Sequence, residues 1–353
     1  MTPTPWHLLV PGGLEVVTGG TRYDRRMVEG LRAQGQPVTV HGLPGRFPRT
    51  DAAARSGLEA ALAAIPAGRV TLIDGLALGD AAAITERHAK RLRLVALVHH
   101  PLADESGLDA AAHAALLDAE RRSLAAVRGV VVTSPFTARR LQALDLYPRP
   151  AGVAPPGTDP APVAAGGDGG TPRLLCVGAV IPRKGQDVLV AALAQLRELP
   201  WRCDCIGRLD QAPGFAAEVA AAIDGAGLGG RLCLCGPVPP EALAGHYHEA
   251  DLFVLPSRYE GYGMAVAEAI AHALPVVTTD GGALAEALPE GAGVSVPAGA
   301  ADALAAALAE LIRDPARRRQ LADGAASARR TLPDWPEAAR RFAEVVRGVA
   351  GDG

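Results

Sequence analysis

Short apolar runs alternate with alanine- and arginine-rich helical segments along this chain, and the alternation starts over once. The first series is Leu8–Pro11, Val38–His41, Val70–Asp74, Leu94–His99 and Val130–Thr133. The second is Leu174–Val177, Cys203–Ile206, Leu232–Cys235, Leu252–Leu255, Val276–Thr278 and Val294–Val296. Strands that are apolar throughout are buried on both faces, and helices between them make the sheets parallel. The chain is therefore expected to be α/β, with two doubly wound, Rossmann-like domains. Between the two series, the stretch from Ala151 to Gly170 is rich in Gly and Pro and reads as a hinge. The expected layout is a first domain over 1–160, a linker over 161–172, a second domain over 173–334, and a terminal helix over 335–350. Open parallel sheets bind ligands beyond the carboxyl ends of their strands. The site is expected in a cleft where the two sheets face each other.

Composition narrows the function. The chain has 353 residues, more than one comfortable core, with 49% apolar and 21% charged residues. Its net charge of −3 gives no footing for nucleic acid. The first 160 residues carry 18 basic and 15 acidic side chains, and the remainder 17 and 23, which allows at most a peripheral approach to a membrane surface. No apolar run of about 18 residues occurs, and no charged segment precedes an apolar one at the N-terminus, so a cytoplasmic protein is expected. Five cysteines, Cys176, Cys203, Cys205, Cys233 and Cys235, include two C-x-C pairs on strands. Structural zinc sites more often place C-x(2–4)-C on turns, so these are read as reduced core thiols and no metal is expected.

The richest motif is P-S-R-Y-E-G-Y-G-M-A-V-A-E-A-I-A-H-A-L-P-V-V-T-T-D-G-G-A-L-A-E, residues 256 to 286. A strand through Leu255 leads into Gly261 and Gly263, which let backbone N–H groups approach a ligand, and then into a helix from Met264 to His272. The N-terminus of that helix suits phosphate or a polyhydroxyl ring. Glu260 and Glu268 would stand about 10 Å apart at a rise of about 1.5 Å per residue. That is too far to share a proton, but suited to a hexose at one end of a ligand and a ribose at the other.

Two further motifs stand at strand ends. Leu174 to Leu189 reads as strand, turn and helix start, with Arg183 and Lys184 at the helix N-terminus, where a pyrophosphate would be held by both side chains and dipole. Only two lysines occur against 33 arginines, so Lys184 stands out as a compact ammonium. In the first series, Leu94-Val-Ala-Leu-Val-His-His-Pro101 puts His99 at a strand's carboxyl edge, where imidazole can bond a sugar hydroxyl; His100 is next to the exit loop. Gly19-Gly20, followed by a helix from Thr21, offers another helix end. No G-x-G-x-x-G is present, so a dinucleotide site is unsupported.

Glu260 to Glu268 resembles the E-x7-E motif of the retaining, metal-independent glycosyltransferases of family four, whose architecture is termed GT-B. The likeness extends to Gly19-Gly20, His99, Val130-Val-Val-Thr-Ser134, Pro156-Gly-Thr-Asp159, Lys184-Gly185, Asp280-Gly-Gly282 and the terminal segment Trp335–Val346. The resemblance implies front-face transfer of a sugar from a nucleotide-diphosphate sugar (UDP-, GDP- or ADP-linked) to an acceptor hydroxyl on a glycan, lipid or small metabolite, with no cofactor. It implies His99, Lys184 and Glu260 as catalytic residues. Donor contacts would come from Gly19, Gly20, Gly178, Arg183, Lys184, Glu260, Gly261, Tyr262, Gly263, Met264 and Glu268, and candidate acceptor contacts from Tyr23 and His100. No D-x-D occurs to bridge a metal to the diphosphate. One departure stands out: members commonly carry arginine where this chain has Ala179, with Arg183 available across the loop. A catalytically weak nucleotide-sugar-binding or scaffold protein is the alternative.

Overall fold

The computed structural model describes residues 3–15, 18–167 and 170–351. Two compact units emerge. One comprises the described residues through Gly157 together with those from Pro333 onward, and the other runs Thr158–Leu332.

The first unit is built on a six-stranded sheet: β1 (Trp6–Pro11), β2 (Val38–Leu43), β3 (Val70–Asp74), β4 (Arg93–Val98), β5 (Gly129–Val132) and the two-residue β6 (Gly152–Val153). All pairings are parallel and the order is β2-β1-β3-β4-β5-β6. Every residue of β3 and β5 is buried, as continuous apolar runs require. Chain direction reverses across the sheet between β1 and β3, so the connections leaving these strands open a crevice at their carboxyl ends. Helix Gly19–Ala33 leaves β1 there, capped by Thr18 in a reciprocal box with Thr21. The glycine pair is thus the first turn of the helix rather than a turn before it.

Helix Trp335–Ala350 packs on this same unit through Trp335, Ala339, Phe342 and Val346, all buried. Its seat is made by missing side chains. A Cβ on Gly30 would come within 2.4 Å of Ala339 Cβ, and one on Gly152 within 2.3 Å of Val345 Cγ1.

The second unit repeats the plan with β7 (Arg173–Val177), β8 (Arg202–Ile206), β9 (Leu232–Gly236), β10 (Leu252–Leu255), β11 (Val276–Thr279) and β12 (Gly293–Val296). Its order is β12-β11-β10-β7-β8-β9, again with parallel pairings. Leu174, Cys176, Leu252 and Val254 feed the core on one face of the sheet, while Leu175, Phe253 and Leu255 feed the core on the other. This is the period-two signature of a sheet covered on both sides. The switch point lies between β7 and β10, strands that adjoin in space though their sequences are far apart.

Residues 161–167 belong to this unit by their bonds. The Ala164 N–H donates to the His272 carbonyl at 2.8 Å and the Ala165 N–H to the His248 carbonyl at 2.8 Å. The reading of all five cysteines as core thiols needs correction. Cys176, Cys203 and Cys205 are buried, but Cys233 is exposed and Cys235 half-buried, because β9 is an edge strand. No helix among the described residues is long and apolar enough to cross a membrane.

Candidate functional site

The switch point of the second unit brings together two motifs that lie 76 residues apart. Beyond β7 the chain makes a single turn, Pro182–Lys184, and passes through Gly185 into helix Gln186–Ala194. Beyond β10 it makes the loop that carries Glu260. Lys184 Nζ donates to Glu260 Oε1 at 2.5 Å, and Ser257 Oγ donates to the same oxygen at 2.7 Å. Arg183 Nη1 lies 3.3 Å from Glu260 Oε2 and donates to the Tyr259 carbonyl at 2.9 Å. Glu260 is 8% exposed. Burial alone would raise its pKa, but Lys184 and Arg183 beside it, with the hydrogen bonds from Lys184 and Ser257, hold the carboxyl down to about 2.

The loops are locked by groups that sequence reasoning passed over. Arg258 Nη1 and Nη2 bond the Asp187 carboxylate at 2.8 and 2.6 Å, and Nη1 also reaches the Pro182 carbonyl at 2.7 Å. The Arg258 N–H donates to the Arg183 carbonyl at 2.7 Å. Gly185 has φ +70°, and a Cβ there would meet the Pro256 carbonyl oxygen at 2.2 Å. Behind Glu260, Gly282 pairs with it in a parallel bridge, and the Ala283 N–H donates to the Glu260 carbonyl at 2.8 Å. Arg258 stands in one motif and Asp187 in the other, but nothing in their spacing said that they would pair.

Helix Met264–Ala271 begins at Gly263, which is left-handed at φ +100° and supplies no side-chain cap. Its first N–H groups are therefore offered to the space above the strands. Gly261 is buried, Tyr262 and Met264 are half-buried, and burial pushes the Tyr262 hydroxyl's pKa up. Glu268 accepts from Tyr247 Oη at 3.1 Å. Across the loop, Gly178 lies beside the aliphatic stem of Lys184: a Cβ there would be 3.4 Å from Lys184 Cδ, an ordinary contact. At Ala179 no side-chain cation is present; its carbonyl accepts from Gln186 Nε2 at 3.0 Å. Arg183 instead joins Lys184 on one carboxylate.

The first unit holds a second cluster. His99 follows β4, Asp74 ends β3, and Asp24 lies on helix Gly19–Ala33. His99 Nε2 is 3.3 Å from Asp24 Oδ1 and 3.3 Å from Asp74 Oδ2. Asp74 also accepts from the Leu76 N–H at 2.7 Å. Asp24 is fully buried, and neither of its oxygens meets a hydrogen-bond donor in good geometry. Burial opposes charging of His99, yet Asp24 and Asp74 raise it to about 10; burial likewise pushes Asp24 up, against the pull of His99. Gly20 permits the approach, since a Cβ there would lie 3.1 Å from His99 Cδ2. These three side chains are also the one group among the described residues with ligand atoms close enough, within 4.8 Å of one another, to take a metal ion.

One expectation changes in this unit. Tyr23 is buried in the core: its hydroxyl donates to the Ala154 carbonyl at 2.8 Å and its ring stands edge-on to His99 and Phe342, so it backs His99 rather than meeting an acceptor. Gly20, in the first turn of its helix, lies against the His99 ring. His100 is half-buried, with Nε2 3.4 Å from Glu105 Oε2. Glu120, unremarked in the sequence, is pushed up by burial to about 8 and accepts from the Leu102 N–H at 2.9 Å, fixing the loop after His100.

Residues 171–314 match the family described as Glycosyl transferases group 1. This stretch is similar to group 1 glycosyl transferase domains. It contains the whole cluster of Arg183, Lys184, Glu260 and Glu268. The chain is 35% identical over 249 residues to the D-inositol 3-phosphate glycosyltransferase of Kineococcus radiotolerans, covering 61% of this chain and 56% of that protein. It is 31% identical over 193 residues to a GDP-mannose-dependent alpha-(1-6)-phosphatidylinositol monomannoside mannosyltransferase of Mycolicibacterium smegmatis, covering 52% and 49%. The aligned stretches span about half the length of these curated relatives. Sucrose-phosphate synthase from Thermosynechococcus elongatus shares the fold at a TM-score of 0.84 and 22% identity, over 99% of this chain and 100% of that one. Anabaena HepE in complex with UDP and glucose shares it at 0.75 and 18%, over 96% and 98%. The two units thus share the GT-B fold of these structures, each a Rossmann-like sheet with helices on both faces.

Proposed function

We propose that this chain transfers a sugar from a nucleoside-diphosphate sugar to an acceptor hydroxyl, with retained anomeric configuration and without a metal bridging the diphosphate. The observation that carries the reading is the buried Glu260 carboxylate gripped by Lys184 and Arg183 beside the uncapped helix at Gly263. A diphosphate brings more negative charge than one carboxylate and competes for both cations. Their exchange onto the leaving group frees Glu260 to accept hydroxyls of the transferred sugar, and Glu268 is offered to the ribose. As the glycosidic bond breaks, Lys184, Arg183 and the helix N–H groups meet the charge that develops on the diphosphate. Retaining glycosidases use two carboxylates about 5 Å apart, one as nucleophile. The E-x7-E spacing favours instead a front-face path in which a phosphate oxygen takes the acceptor's proton. The relatives point to GDP-mannose or a UDP-sugar as donor and to an inositol-bearing or glycan acceptor.

The test is a metal-free thermal-shift screen of UDP-, GDP- and ADP-sugars on the wild type and on Lys184→Ala, reading the ligand-induced change within each protein. Donor at about a hundred times its Kd adds about 2.7 kcal/mol to the wild type. The variant is expected to lose that gain. NMR of the product's anomeric proton then decides between retention and inversion, and an inverted product would end the front-face reading. The alternative of a weak binding protein rests on Ala179, where the resemblance to family four implies an arginine, and measurable donor hydrolysis excludes it.

A further inference from the structure

We propose that Asp24 and Asp74 are positioning residues that occupy the Nε2 edge of His99 and keep its ring doubly protonated, so that it meets a ligand as a cationic donor through Nδ1 and not as a base. This deepens the transferase reading at His99 and rests on it for the identity of the ligand, a hydroxyl-bearing sugar or an anionic acceptor group.

The argument is geometric. Both carboxylates converge on one atom, Nε2, at 3.3 Å each. That atom is buried, while the side chain as a whole keeps 19% exposure. Gly20 closes over Cδ2, and the Tyr23 ring stands edge-on to the imidazole at 5.5 Å between centroids. What remains for a ligand is the Nδ1 and Cε1 side. Asp24 has no hydrogen-bond donor in good geometry among the described residues, so the ring is what compensates its charge. A buried carboxylate stripped of its partner is strongly destabilising, which ties the two charges together. The groups facing the imidazole are Asp24 from helix Gly19–Ala33, Asp74 from β3 and Tyr23; Thr133 Oγ1 reaches only the His99 carbonyl. Two anions against one ring favour the cation, and the upward shift of His99 agrees in sign.

A base would work in the opposite sense. It would need a neutral ring, gaining activity as pH rises through its pKa, whereas a cationic donor is complete at low pH and is lost as pH rises through the raised value. Removing one carboxylate brings that loss down into the neutral range.

The experiment has two independent arms on the full chain. In the first, the ring nitrogens of wild type, Asp74→Asn and Asp24→Asn, labelled with 15N at histidine, are followed by NMR from about pH 5 to about pH 9. His99 is assigned by its absence in His99→Gln. The expected result is a wild-type ring with two protons through about pH 8 and variants that lose one between about pH 6 and 8. The second arm measures kcat against pH with the donor found above. Wild type is expected to stay flat through the neutral range, and Asp74→Asn to fall about tenfold for each pH unit above its lowered pKa. A neutral wild-type ring at pH 7, a variant profile identical to the wild type's, or saturable Zn2+ or Mn2+ binding that Asp24→Asn abolishes would each overturn the proposal. Absence of transferase activity would sink the functional reading while the NMR arm still decided the protonation of His99.

Discussion

Glu260 is a buried acid kept ionised by two cations, and this dictates how the protein responds to acid. Its folded value, about 2, lies below the ordinary 4.5. A group with a depressed folded pKa stabilises fully above the unfolded value, and the contribution is lost as pH falls from about 4.5 through about 2. The depression corresponds to on the order of 3 kcal/mol at neutral pH. Glu260→Gln is expected to be less stable than wild type by about that amount at pH 7, with the two converging near about pH 2 to 3; urea unfolding across pH measures it. Residue type and neighbours marked both Glu260 and Lys184 as candidate ligand contacts. Their mutual pairing was not so marked, because one residue's identity carries no information about which charge the fold brings to it. Tyr23 was misread for a related reason. A tyrosine in an amphipathic helix looks the same whether its ring points to a ligand or lies in the core with only its hydroxyl bonded.

At the scale of elements, Asp280-Gly-Gly282 could be read as a turn, but not that it braces Glu260 from behind. Gly282 sits at φ +68°, and a Cβ there would be 2.3 Å from the Glu260 carbonyl oxygen, a backbone atom that cannot swing aside. Gly291, at φ +76° with nothing within 4 Å, is the matched control. Gly291→Ala is expected to cost about 1 kcal/mol of backbone strain and to leave donor binding intact. Gly282→Ala is expected to cost roughly 2–3 kcal/mol and to weaken donor binding as well, since the strain can be relieved only by moving Glu260. Denaturant melts paired with donor titrations separate the two effects. The short strand Gly152–Val153 escaped the sequence because two residues have no period, and it exists only by pairing with β5.

For the molecule as a whole, connectivity sets the consequence of truncation. The second unit is one continuous stretch, whereas the first is completed by residues that follow it in sequence. Helix Trp335–Ala350 buries Trp335, Phe342 and Val346, each worth about 1.5–3 kcal/mol, against a total domain stability of about 5–15 kcal/mol. Ending the chain at Leu332 is expected to unfold the first unit while the second stays folded and keeps the nucleoside-diphosphate binding proposed for it; limited proteolysis with ligand titration checks both. The sequence by itself determined the class of fold and the strand ends at which glycine and charge gather. Buried parallel strands must be apolar along their length, and turns that admit ligands must contain glycine and charge, so both leave local marks. Only the tertiary structure decided which ends meet. Crossovers set β7 against β10, joining Lys184 to Glu260, and set β1, β3 and β4 side by side, closing Asp24 and Asp74 on His99. The register and order of strands are settled by packing between distant segments, which no local pattern records.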